Sequence, residues 1–138
     1  MRSLLFATIA LAAAFALRVD ADPAGAPMNG DAFRDYAEGW TLFFETEDGD
    51  YFGAEQYFPN NQTLWMPRGG ACTPGVWAED QDRICFLYEV GISCWRLFHD
   101  GDDGMRAVND DGGGAPPTRI RVSRKEREPL LCPDGPGV

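Results

Sequence analysis

From Trp40 to Ser123 the chain is cut into about eight short stretches rich in aromatic and β-favouring residues, with turn-forming residues between them. Strands joined in sequence by short turns pair antiparallel with their neighbours, so this feature restricts the chain to a β-meander. The turns are legible by composition. Asp48 and Gly49 suit the positive φ angles of a hairpin turn. Residues 59–62, 80–82 and 100–104 supply further breaks built from Pro, Asn, Asp, Gln and Gly. Residues 69–75 interrupt the pattern, residues 110–117 read as a loop, and residues 118–123 form a last alternating strand. A sheet of this length with bulky aromatics on one face tends to curl or close on itself. The expected fold is all-β: an antiparallel meander closing into a small up-and-down barrel, lipocalin-like or calycin-like in layout. A two-sheet β-sandwich is the alternative. One short helix is expected ahead of the sheet over residues 31–39, with Asp31 as its cap, Phe33 and Tyr36 on one face and Gly39 at its end.

The compartment follows from the first residues. Arg2 precedes an almost unbroken apolar run over residues 3–17, and Val19-Asp20-Ala21 fits the small-x-small rule for cleavage. This is the pattern of a secretory signal peptide; the run is short against the roughly twenty residues that a spanning helix needs. The expected organisation is a signal peptide at 1–21, a flexible Pro/Gly-rich leader at 22–30, one β-rich domain at 31–128 and a tail at 129–138 tied down by Cys132. The mature protein is expected to be periplasmic or secreted, with no membrane span.

Cys72, Cys85, Cys94 and Cys132 all follow the leader. An even number in a small exported chain reads as two disulfides. Zinc sites use close ligand pairs such as C-x-x-C. None is present here, and His99 is the only histidine. If residues 89 and 90 centre the bend between two strands, Cys85 and Cys94 face each other at the Cβ spacing of about 4.5–5.5 Å that a disulfide can bridge. That leaves Cys72 with Cys132; the other two connectivities stay open.

Three short patterns, Gly75-Val76-Trp77, Cys85 to Tyr88 and Cys94-Trp95, look like the core of a family of small exported alphaproteobacterial proteins of unknown function. Gly39 to Thr41 and Glu55 to Phe58 are similar to that family's earlier strands. The resemblance spans roughly residues 39–99 and implies an exported β-rich architecture, without an activity.

The chain carries 22 acids against 12 bases, a formal net charge of −10. Such a surface repels nucleic-acid phosphates and anionic membranes and attracts cations or basic proteins. Catalysis is not expected. Beyond the leader only Ser93 and Ser123 carry a serine hydroxyl. Ser93 and His99, although on one strand face, are separated by roughly 20 Å of strand. Glu45, Glu47, Asp50 and Glu55 gather around the first hairpin as a carboxylate cluster, but an acidic chain makes such groups by chance. The Asp/Gly turns at 100–104 and 109–114 do not match a calcium-loop spacing. No cofactor or metal is expected. Two candidate binding features remain. Trp40, Phe44, Tyr57, Trp77 and Trp95 would line an apolar pocket if the barrel is open inside. Arg119, Arg121 and Lys125 would form an anion-binding stripe on one face of the last strand. The sequence points to a non-enzymatic exported binding domain whose partner is a basic protein or envelope component, with a small apolar ligand as the alternative.

Overall fold

The computed structural model describes residues 25–111 and 113–133; the signal-peptide reading lies outside them. Helix α1 (Gly30–Ala37) is followed by eight strands: β1 (Thr41–Thr46), β2 (Tyr51–Tyr57), β3 (Gln62–Pro67), β4 (Thr73–Asp80), β5 (Arg83–Tyr88), β6 (Gly91–Asp100), β7 (Gly104–Asn109) and β8 (Thr118–Glu126). Each strand pairs antiparallel with the next, and β8 returns to pair with β1, giving a closed barrel in sequence order. Closure consumes both sheet edges, so every strand has two hydrogen-bonded neighbours. No helix among the described residues is long and apolar enough to cross a membrane.

Turn chemistry sets the register. Asn60 and Asn61 both take positive φ between β2 and β3, where asparagine is tolerated better than most residues. A two-residue turn at 89–90 places Tyr88 opposite Gly91 and hence Cys85 opposite Cys94. Those two cysteines are bridged, as are Cys72 and Cys132. Two disulfides fit an oxidising, extracytoplasmic setting. The Cys72–Cys132 bridge brings the segment around Leu130 onto the outside of the sheet. Leu130 is buried there with Ala54 and Leu64, and its N–H donates to Gln56 Oε1 at 2.9 Å.

Several boundaries differ from the sequence reading, each for a local reason. The helix is capped by Asn29 rather than Asp31. The Asn29 side chain accepts from the Ala32 N–H at 2.9 Å. Asp31 lies in the first turn, where its charge complements the helix dipole, and it pairs with Arg34 at 2.7 Å. The expected leader joins the fold before residue 31: Met28 is buried, its N–H donates to the Leu97 carbonyl at 2.7 Å, and the Gly30 N–H donates to Glu79 Oε2 at 2.9 Å. β4 begins at Thr73, inside the segment expected to break the pattern. There Gly75 lets the strand continue under the ring of Tyr88.

The cap makes a test. Replacing an Asn cap by Ala typically costs about 1 kcal/mol. Asn29→Ala is expected to lower stability by about that much in chemical denaturation, and Asp31→Ala by about 0.3–0.5 kcal/mol, the size of an exposed i,i+3 ion pair.

Candidate functional site

Alternation along each strand decides what enters the barrel. On β2 it sends Gly53, Glu55 and Tyr57 inward, paired across β3 with Pro67, Trp65 and Thr63. On β5 it sends Ile84, Phe86 and Tyr88 inward, and on β6 Trp95 and Leu97. The interior is then divided in two by α1. Phe33 is fully buried and reaches into one end, edge-on to Tyr57, Trp77 and Phe86 at 5.4, 5.1 and 5.9 Å between ring centroids. Tyr36 closes the rim by donating its hydroxyl to the Asp103 carbonyl at 3.0 Å. That end is filled.

The other end is not. Two glycines face inward where side chains would otherwise stand. A Cβ on Gly53 would collide with the Trp65 ring, and one on Gly75 would lie 2.6 Å from the Tyr88 ring. The rings of Trp65 and Tyr88 thus occupy the space that side chains at Gly53 and Gly75 would take. Ala107 adds a third small residue. What remains is a cavity of about 190 Å³. Phe44, Phe86, Leu97, Met105 and Ile120 form its deep, buried apolar walls, and Phe52, Trp65 and Trp95 line its half-exposed part.

The cavity carries its acid in one corner. Glu55 is only 4% exposed, and both of its oxygens accept hydrogen bonds: Oε2 from the Tyr57 hydroxyl at 2.8 Å and Oε1 from the Tyr88 hydroxyl at 2.6 Å. The registers explain how two tyrosines three strands apart converge. Tyr57, Thr63, Gly75 and Tyr88 form one row of paired residues across β2, β3, β4 and β5. The missing side chain at Gly75 lets the Tyr88 ring lean across the row to Glu55. Burial raises the Glu55 pKa above its ordinary value, while the hydroxyls of Tyr88 and Tyr57 pull it down. Burial, and then the Glu55 charge, raise both tyrosines, so they stay neutral donors. No Lys, Arg or His is among the described residues lining the cavity.

Of the five aromatic residues proposed from the sequence, Phe44, Tyr57 and Trp95 line the cavity. Trp77 is buried at the filled end under Phe33, with the Arg34 guanidinium 5.3 Å from its ring. Trp40 lies at the base of the barrel beneath Lys125 and Arg127. The basic stripe does not form a single face. The register of β8 against β1 slips between Arg124, opposite Phe43, and Val122, opposite Phe44. This bulge at Ser123 turns Lys125 to the side of Leu42. Its ammonium lies 4.0 Å from the Tyr36 ring centroid and 3.2 Å from Asp103. Arg121 pairs with Glu45 at 2.6 Å, and Arg119 sits opposite Val108.

The carboxylate cluster is likewise split, since Glu45 faces outward and Glu55 inward. Ser93 lies at the cavity, whereas His99 lies at the far end of β6, edge-on to Tyr36. The turn acids are held by bases: Asp100 by Arg106, Asp110 by Arg96 and Asp111 by Arg83. No group of three or more potential metal ligands is found among the described residues.

A raised pKa in the folded state means that folding strengthens proton binding at Glu55. That carboxyl therefore favours folding below the ordinary glutamate pKa and loses that contribution as pH rises through its raised value. Glu55→Gln is expected to melt above the parent protein at pH 8, with the gap closing as the pH falls to 4; a gap independent of pH would contradict the assignment. The chain matches no protein-family model, no curated protein and no solved structure.

Proposed function

We propose that this barrel is a non-enzymatic binding domain that holds a compact, largely apolar small molecule in its lumen. The observation that carries the reading is the cavity of about 190 Å³, walled mainly by aromatic and aliphatic side chains, with Glu55, its two tyrosine donors and Ser93 as its polar groups. Sites for drug-sized ligands run to roughly 300–1,000 Å³, and an apolar cavity of about 150 Å³ takes up benzene. The occupant is accordingly a single ring, or an aliphatic body of that size, with a short polar substituent. Few convergent polar groups in an apolar pocket are the usual make-up of a ligand site. Binding is favoured over hydrolysis because Glu55 is the only carboxylate lining the cavity among the described residues, and glycoside cleavage uses two.

Residence in the periplasm or outside the cell, and membership in the exported family that the strand motifs resemble, belong to the same proposal; the two disulfides support the first. Capture of a basic protein or envelope component rests on the net charge of −10 alone. The cavity is the more specific observation, so the small ligand takes precedence.

The test fills the cavity. Toluene is expected to raise the melting temperature of the disulfide-bonded protein, and to quench or shift its tryptophan emission through Trp65 and Trp95. Ala107→Leu places a branched side chain into the same space. This variant should stay folded, melt at or above the parent temperature, and bind toluene at least about tenfold more weakly, the cost of a clash of about 1.4 kcal/mol. Undiminished toluene binding by a folded Ala107→Leu would place the ligand elsewhere.

A further inference from the structure

We propose that the ligand is a small organic monoamine, seated with its ammonium group on Glu55 and its apolar body between Phe52, Trp65 and Trp95. This rests on the lumen being a ligand site and names the chemistry of its occupant.

The polar corner is lopsided. Every protein hydrogen bond at Glu55 comes from a neutral hydroxyl, and a carboxylate that accepts one bond on each oxygen keeps a lone pair on each. The groups around it are Tyr57 on its own strand, its pair Trp65 and then Thr63 on β3, Tyr88 on β5 and the apolar Leu42 opposite on β1. None of these supplies a positive charge. A buried carboxylate without a counter-ion is expensive, and a fixed cation delivered by the ligand removes that cost. In the empty barrel burial favours the protonated form of Glu55 over the charged one. Where Glu55 is protonated before binding, entry of the ammonium sends that proton to solvent, the carboxylate forms, and the net charge in the lumen is zero before and after.

Two further observations point the same way. Aromatic faces attract cations, and three of them line the half-exposed part of the cavity that an amine must pass. The net charge of −10 raises the local concentration of cations and repels organic anions. A neutral alcohol of the same shape gains one hydrogen bond at Glu55 but no charge pairing, and a carboxylate is rejected.

Three probes of one shape separate the alternatives: 2-phenylethylamine, 2-phenylethanol and phenylacetate, titrated calorimetrically into the oxidised chain. At pH 8 the amine is expected to bind roughly ten- to a hundredfold more tightly than the alcohol, the range for a charge-assisted hydrogen bond, and phenylacetate not at all. The preference for the amine should shrink as the pH falls and Glu55 holds its proton more firmly. Wherever Glu55 is protonated in the free protein, repeating the titration in two buffers of different ionisation enthalpy should count up to about one proton released per amine bound, and none for the alcohol. In Glu55→Gln the alcohol should bind as before, and the amine no better than the alcohol. If the parent protein binds the alcohol as tightly as the amine, or releases no proton with the amine at any pH, the amine assignment falls while the lumen remains a ligand site. If none of the probes nor toluene binds, the lumen reading falls with it.

Discussion

Eight strands closed edge to edge leave an interior of set width, just wide enough to be filled by side chains. What this barrel can do depends on how that width is occupied along its axis. At one end Phe33, delivered by α1, fills it and is met edge-on by Tyr57, Trp77 and Phe86. At the other end Gly53, Gly75 and Ala107 hold back, and the rings of Trp65 and Tyr88 take the space over the two glycines. The same number of strands thus yields a packed core below and a cavity above. The division comes from where three small residues and one helix fall, not from the sheet itself.

Charge is divided in the same way. The outer surface carries the acids in excess, and many of them meet a base: Arg121 with Glu45, Arg96 with Asp110, Arg83 with Asp111 and Lys125 with Asp103. Exposed pairs of this kind contribute little to stability. They do tie the Asp-rich turns to the wall. Glu55 is the exception, an acid taken inside and surrounded by neutral hydroxyls rather than by bases. A group so placed lowers stability once ionised, and such arrangements recur where function requires them. Under the proposed reading, the acidic exterior and the interior carboxylate both favour a cation as the occupant.

The barrel was legible because its signals are local. Alternating aromatic strands, Asn and Asp-Gly turns and the nine-residue spacing of Cys85 and Cys94 each act within a hairpin, and hairpins in sequence build a meander. The site was only partly legible. Phe44, Tyr57 and Trp95 stand out as aromatics, but nothing in composition separates them from Trp77 and Trp40, whose positions depend on how α1 docks. Glu55 reads as one of four acids near the first hairpin. Its distinction lies in period two: Gly53, Glu55 and Tyr57 share a face, so an acid beside Tyr57 points inward wherever Tyr57 does. The convergence of Tyr88 on Glu55 depends on three successive registers and on the missing side chain at Gly75. The bulge at Ser123, which separates Lys125 from Arg121, is a mismatch between two distant strands. Each of these is long-range information that no short stretch carries.

The central claim is that a small molecule binds inside the barrel, against Glu55. The most direct measurement is a two-dimensional amide and indole NMR titration of the oxidised protein with 2-phenylethylamine. Binding in the lumen predicts saturable shifts at the indole N–H groups of Trp65 and Trp95 and at the amides of Glu55, Tyr57 and Tyr88, with the Trp77 indole at the filled end much less affected. Shifts confined to the exposed acidic turns at 100–104 and 109–111, with the lumen signals unmoved, would contradict the account and leave the acidic surface as the binding face.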